Sequence, residues 1–180
     1  MGLSTFAGFD DSSTDLECDF KDVKDLALFV NMAASAYKDE SIAEQIPFVS
    51  KSQLIKDLKT ETEVHVCLLE DGSVAFVFRG TECLDWKDWQ SLVKDDTTDL
   101  MKDMVPIKLY DASHDIVYEA VASIQAHEGF QLAFQDVTKT SSPEENIRLV
   151  AEGLGASTTN VKRVICIGHS LGGAEATLCA

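Results

Sequence analysis

No part of this 180-residue sequence approaches 18 consecutive apolar residues, so no transmembrane helix is expected. Basic residues are scarce: 15 Lys and Arg stand against 31 Asp and Glu, a formal net charge of −16. Nucleic acids and anionic membranes both select clustered Lys and Arg, so neither is an expected partner. The five cysteines (Cys18, Cys67, Cys83, Cys166 and Cys179) are dispersed and odd in number. With no Cys-x-x-Cys, neither a disulfide framework nor a zinc site is indicated. Cys67 and Cys166 lie in strand-like segments and read as buried apolar thiols. Residues 1–20 hold no apolar signal-peptide core. They read as a flexible acidic arm, and a cytoplasmic location is expected. Asp95, Asp96, Asp99 and Asp103 lack the alternating ligands and central glycine of a calcium loop; they read as a solvated face, and no metal is called for.

What is present is ordinary for one globular domain, with 45% apolar and 26% charged residues, and no internal repeat is visible. The most informative stretch runs from Val161 to Ala174, where a β-branched strand-like run enters Gly168-His169-Ser170-Leu171-Gly172. Gly-x-Ser-x-Gly between a strand and a helix is a nucleophile elbow, a sharp bend that lifts one serine hydroxyl above the sheet edge. Gly168 and Gly172 suit it because a larger side chain would strike the adjacent strand or helix. Ser170 sits at the apex, above amides at the helix start that can stabilise an oxyanion.

Two further motifs precede the elbow: a buried-type strand, Val74 to Phe78, leading into Arg79-Gly80-Thr81, and His127-Glu128-Gly129-Phe130 at the head of a helix-like stretch. In this order the three motifs resemble the class 3 (fungal-type) lipases of the α/β-hydrolase superfamily, over roughly residues 25–180. The resemblance implies an α/β-hydrolase-like sheet flanked by helices. It implies Ser170 as the acyl-accepting nucleophile, with the Leu171 amide and Thr81 as oxyanion donors. His127 then matches a position that packs near the site without being the catalytic base. Two simpler readings stay open, Arg79 as a strand-end ion pair and Thr81 as a turn residue. Between residues 82 and 104 the family carries a tryptophan motif and a lid helix. Trp86 or Trp89 matches the tryptophan, although neither has an Asp three residues later, and a permanently packed amphipathic helix is the alternative.

A serine nucleophile needs a base held by a third group, and in α/β hydrolases the acid and the histidine follow the serine. Only ten residues follow Ser170, none of them Asp or His. His65, His114, His127 and His169 all precede it, and at a tight elbow the His169 side chain diverges from Ser170. The helix after Ser170 reaches Ala180 without a stop signal. The chain therefore reads as the N-terminal part of a lipase domain, residues 21–180, truncated after the elbow. The expected function is a serine ester hydrolase of lipid metabolism acting on acylglycerols, without cofactor, at a neutral lipid interface. A phospholipase A1 or a small-ester esterase is the narrower rival. A catalytically incomplete lipase-like fragment, binding lipid or a partner, is the alternative from another class.

Among the other elements, Val23 to Tyr37 is expected as a helix whose buried stripe is Val23, Leu26, Ala27, Val30, Ala33, Ala34 and Tyr37. Val64 to Leu69 and Val74 to Phe78 flank an Asp71-Gly72 hairpin step. Val105 to Tyr110 reads as a strand. Ser52 to Leu58, Ala112 to Ala126 and Phe130 to Thr138 read as helical. A further helix is expected from an N-cap at Ser142 to about Gly155. Leu171, Ala174 and Leu178 mark the expected buried face of the last helix.

Overall fold

The computed structural model describes residues 23–38, 40–57, 62–80, 104–110, 116–119, 125–139, 146–157 and 159–180. The N-terminal arm, Thr81, Trp86, Trp89, the lid interval up to residue 103, the acidic cluster at Asp95 to Asp103, Cys18, Cys83 and His114 all lie outside the described residues.

Helix α1 (Val23–Ser35) and the short α2 (Ile42–Gln45) precede three strands, β1 (Val49–Lys56), β2 (Glu63–Leu69) and β3 (Val74–Phe78). Four short strands follow: β4 (Met104–Pro106), β5 (Lys108–Tyr110), β6 (Ile116–Glu119) and β7 (Gln125–His127). Then come α3 (Glu128–Lys139), α4 (Ile147–Leu154), β8 (Val164–Gly168) and α5 (Leu171–Cys179). The main sheet has the order β1-β2-β3-β8. Its first three strands are antiparallel neighbours, and β8 joins β3 in parallel with Phe76 opposite Cys166 and Phe78 opposite Gly168.

Both faces of this sheet are covered, which is why β3 is buried at every position. Val64 and Val66 of β2, and Val74, Phe76 and Phe78 of β3, face a cluster with Phe134 and Val137 of α3, Val150 of α4 and Ala176 of α5. The alternate residues Cys67, Leu69, Ala75, Val77 and Ile167 face Met32 and Ala36, in and just after α1, and Ile42 of α2. A period of two therefore sorts one sheet into two cores.

Several expectations are corrected. Ser52 to Leu58 is not helical, since residues 49–56 form β1 in register with β2, Leu54 opposite His65 and Ile55 opposite Val64. A doubly buried β2 needs a hydrogen-bonding neighbour on each side, and that demand overrides a weak helical spacing. The helix expected over Ala112 to Ala126 is replaced, where the chain is described, by β6 and β7. The run Ile116-Val117-Tyr118 favours extended backbone, and β6 pairs with β5 while β7 pairs with β4. The strand expected over Val105 to Tyr110 divides at Ile107 because its two halves serve different partners.

The α4 helix is capped by Asn146 rather than Ser142, with the Asn146 side-chain oxygen accepting from the amides of Arg148 at 2.9 Å and Leu149 at 3.2 Å. In α1 the buried face comprises Leu28, Phe29, Met32 and Ala33, continuing at Ala36 past the helix end, whereas Leu26 and Val30 are exposed. The helix is apolar on two sides, and spacing alone does not choose between them. No helix among the described residues is long and apolar enough to cross a membrane.

Candidate active site

Strand β8 ends at Gly168 and α5 begins at Leu171, leaving His169 and Ser170 to reverse the chain. Ser170 adopts φ 58° and ψ −125° and is the one non-glycine residue with positive φ among the described residues. A serine in an ordinary strand-to-helix turn takes extended backbone and caps the helix with its hydroxyl. Ser170 does neither: its backbone is strained and its side chain makes no capping hydrogen bond. The residue is exposed, so the strain holds a hydroxyl outward. Leu171 opens α5, and first-turn amides have no acceptor within their helix.

Close backbone approach makes the bend possible. A Cβ on Gly172 would lie 2.8 Å from the Phe78 carbonyl carbon and 2.9 Å from that of Arg79, so α5 rests directly on the end of β3. A Cβ on Gly168 would lie 2.7 Å from the Gly173 amide nitrogen. On the other side of the bend Gly80 packs so near that its Cβ would stand 3.3 Å from the Ser170 Cβ. The segment leading to Thr81 thus reaches the nucleophile position, although Thr81 itself lies outside the described residues.

Beneath the elbow runs a polar chain in which the sequence reading singles out Arg79 and His169 but not Glu63. The His169 ring is turned to Tyr37, with Nδ1 3.1 Å from the Tyr37 hydroxyl and the rings edge to face. The Arg79 guanidinium lies 6.0 Å from the centre of the Tyr37 ring and pairs with Glu63, which also binds Lys56. The ion-pair reading of Arg79 therefore holds. Burial pushes the Glu63 carboxyl upward, but hydrogen bonds from Lys56 and Arg79 and their charges outweigh it, holding the group below its ordinary value of 4.5. A depressed acid stabilises the fold above its unfolded pKa and loses that contribution as pH falls through the folded value.

Glu63→Gln is thus expected to cost about 2–3 kcal/mol at pH 7, between an exposed pair and a fully buried one. The deficit relative to the parent protein should shrink at about pH 3, as read by urea unfolding of both proteins. A deficit unchanged with pH would assign the loss to packing.

The described histidines are placed as follows. His65 is buried in β2, where desolvation is the largest influence and lowers its pKa, keeping the ring neutral. His127 ends β7 and heads α3, its Nδ1 accepting from the Gly129 amide at 3.2 Å and its ring 4.8 Å from that of Phe130. The motif histidine therefore shapes the start of the helix that packs on α5. His169 is engaged by Tyr37.

A further residue escaped the sequence reading. Glu175 is 1% exposed, with one carboxylate oxygen lacking any hydrogen-bond partner, and burial pushes its pKa up to about 8. The face of α5 that is buried consists of Gly172, Glu175 and Ala176, while Leu171, Ala174 and Leu178 are only half-buried, so the expected face was rotated. An acid at i+4 from Leu171 in an otherwise apolar helix was the available signal.

The strained serine on a strand-to-helix bend at the edge of a doubly covered sheet defines an α/β-hydrolase fold. Solved structures agree. A Rhizomucor miehei triacylglyceride lipase matches with a TM-score of 0.54 and 21% identity over 89% of this chain and 54% of that one. A Rhizomucor miehei lipase–propeptide complex matches at 0.53 and 21%, over 89% and 46% respectively. A triacylglycerol lipase from Penicillium expansum matches at 0.51 and 20%, over 84% and 50%. The chain thus spans about half the length of the lipase chains it resembles. The class 3 lipase family profile matches residues 75–180, and the chain belongs to that family. No curated protein sequence matches it.

Proposed function

We propose that this protein is a serine carboxylic ester hydrolase acting on acylglycerols at a neutral lipid interface, with Ser170 as nucleophile. The observation that carries the reading is the Ser170 backbone, strained and uncapped at an exposed bend. In this reading the hydroxyl attacks the ester carbonyl, and negative charge develops on the carbonyl oxygen. The Leu171 amide, with Thr81 following Gly80, receives that charge. Each such donor is worth about 2.7–4 kcal/mol of barrier. The alcohol departs, and water then clears the acyl-enzyme. Gly168, His169 and Gly172 hold the bend. Among the described histidines, His65 is buried in the sheet, His127 bonds its own helix start and His169 bonds Tyr37. Base and acid are accordingly sought outside the described residues.

Class 3 family membership and the lipase names of the structural neighbours support the acylglycerol assignment. A fluorophosphonate probe tests it on the full-length protein. Covalent labelling at Ser170, abolished in Ser170→Ala together with a loss of ester hydrolysis of at least about 10³-fold, is the expected result. A folded protein that takes no label would instead support the lipid- or partner-binding alternative.

A further inference from the structure

Cys166 and Cys179 come from different elements yet meet on one face of the sheet. Cys166 lies four residues before Ser170 in β8, and Cys179 lies nine after it in α5. A strand rises ~3.3 Å per residue and a helix ~1.5 Å, so both cysteines stand about 13 Å back from the bend. Helix α5 packs back on β8, so equal depth becomes adjacency. Opposite Phe76 in the register, Cys166 faces the same cluster that Cys179 joins, and both are half-buried.

The Cys179 thiol beside Cys166 outweighs burial and holds the Cys166 pKa below its ordinary value. The Cys166 sulfur, together with burial, pushes the Cys179 thiol up. Cys166 is half-buried rather than the buried apolar thiol expected from the sequence. Cys67 is that thiol, wholly buried and pushed up to about 12 by desolvation.

We infer that Cys166 and Cys179 form an oxidation site, a dithiol that peroxides convert to a disulfide tying the elbow helix to the elbow strand. The Cys166 thiolate attacks one peroxide oxygen and breaks the O–O bond, giving Cys166 sulfenic acid and hydroxide. The Cys179 sulfur then attacks the sulfenic sulfur and expels its oxygen. With the Cys179 proton that oxygen leaves as water, completing a two-electron oxidation of the pair and reduction of the peroxide. In a reducing compartment such a bond cycles rather than persists. The disulfide would fix α5 against β8 directly behind Ser170, and its formation does not depend on hydrolase activity.

Full-length protein treated with hydrogen peroxide, alkylated and digested should yield a Cys166–Cys179 disulfide peptide that reverts with dithiothreitol. The oxidised protein should melt about 5–10 °C above the reduced one. In Cys179→Ser, dimedone should trap sulfenic acid at Cys166, whereas in Cys166→Ser position 179 should stay unmodified. Full alkylation of both thiols after peroxide treatment of the folded parent protein would overturn the inference. So would cross-linking of either cysteine to another in preference to its neighbour.

Discussion

Alanine at Gly168 or at Gly172 is expected to destabilise the protein by more than about 4 kcal/mol and to leave no folded elbow. The reason is what the new methyl group meets. At Gly172 it enters the Phe78–Arg79 backbone, 2.8 Å and 2.9 Å from two carbonyl carbons, and at Gly168 it enters the first turn of α5, 2.7 Å from the Gly173 amide. All of these obstacles are main chain, so no side chain can rotate aside. Relief requires α5 to lift from β3, opening the cluster in which Ala176 packs with Phe76 and Phe78. Gly153, with nothing within 4 Å of its added Cβ, supplies the control. Gly153→Ala in α4 should be neutral or stabilise by up to about 1 kcal/mol through helix propensity. Soluble yield and denaturant unfolding compare the three variants. Parent-like unfolding of Gly168→Ala would contradict the close approach at the bend.

Glu175→Leu is expected to stabilise the protein, by an amount that grows with pH. The buried carboxyl has its pKa raised from 4.5 to about 8 by desolvation. Between those values the folded state holds a proton that the unfolded state has lost, so ionisation favours unfolding. The penalty is absent below about pH 4.5, reaches about 3 kcal/mol at pH 7 and levels off near 5 kcal/mol above pH 8. Leucine fills a similar volume without an unpaired oxygen, whereas Glu175→Gln keeps a buried polar group but should also remove the pH dependence. Urea unfolding at about pH 5, 7 and 8.5 reads the difference between each variant and the parent protein. A constant offset across that range would show that Glu175 is charged, and so partnered, in the folded chain.

Much of the local architecture was legible because it is encoded in neighbouring residues. The hairpin at Asp71-Gly72 joins two runs of β-branched and aromatic residues and needs no distant information. The elbow is equally local: a strand-forming run, two glycines where backbones touch, and a helix start at Leu171. His127-Glu128-Gly129-Phe130 heads a helix through contacts within four residues. Less was legible of the ground beneath the site. Tyr37, Glu63, Arg79 and His169 converge from α1's end, β2, β3's end and the elbow, and separations of up to 132 residues carry no periodic signature.

The sequence by itself determined the hairpin at Asp71-Gly72, the strand-to-helix bend at Ser170 and the motifs shared with the class 3 lipases, since propensity and short-range sterics act within a few residues. Tertiary structure alone decided that 49–56 is a strand, because β2 demanded a neighbour. It also decided which of two apolar faces α1 buries, that Glu175 lies inside, and that Cys166 and Cys179 pack against one cluster. Each of those outcomes depends on what stands across the sheet, and a one-dimensional pattern specifies which residues can be buried without specifying what they are buried against.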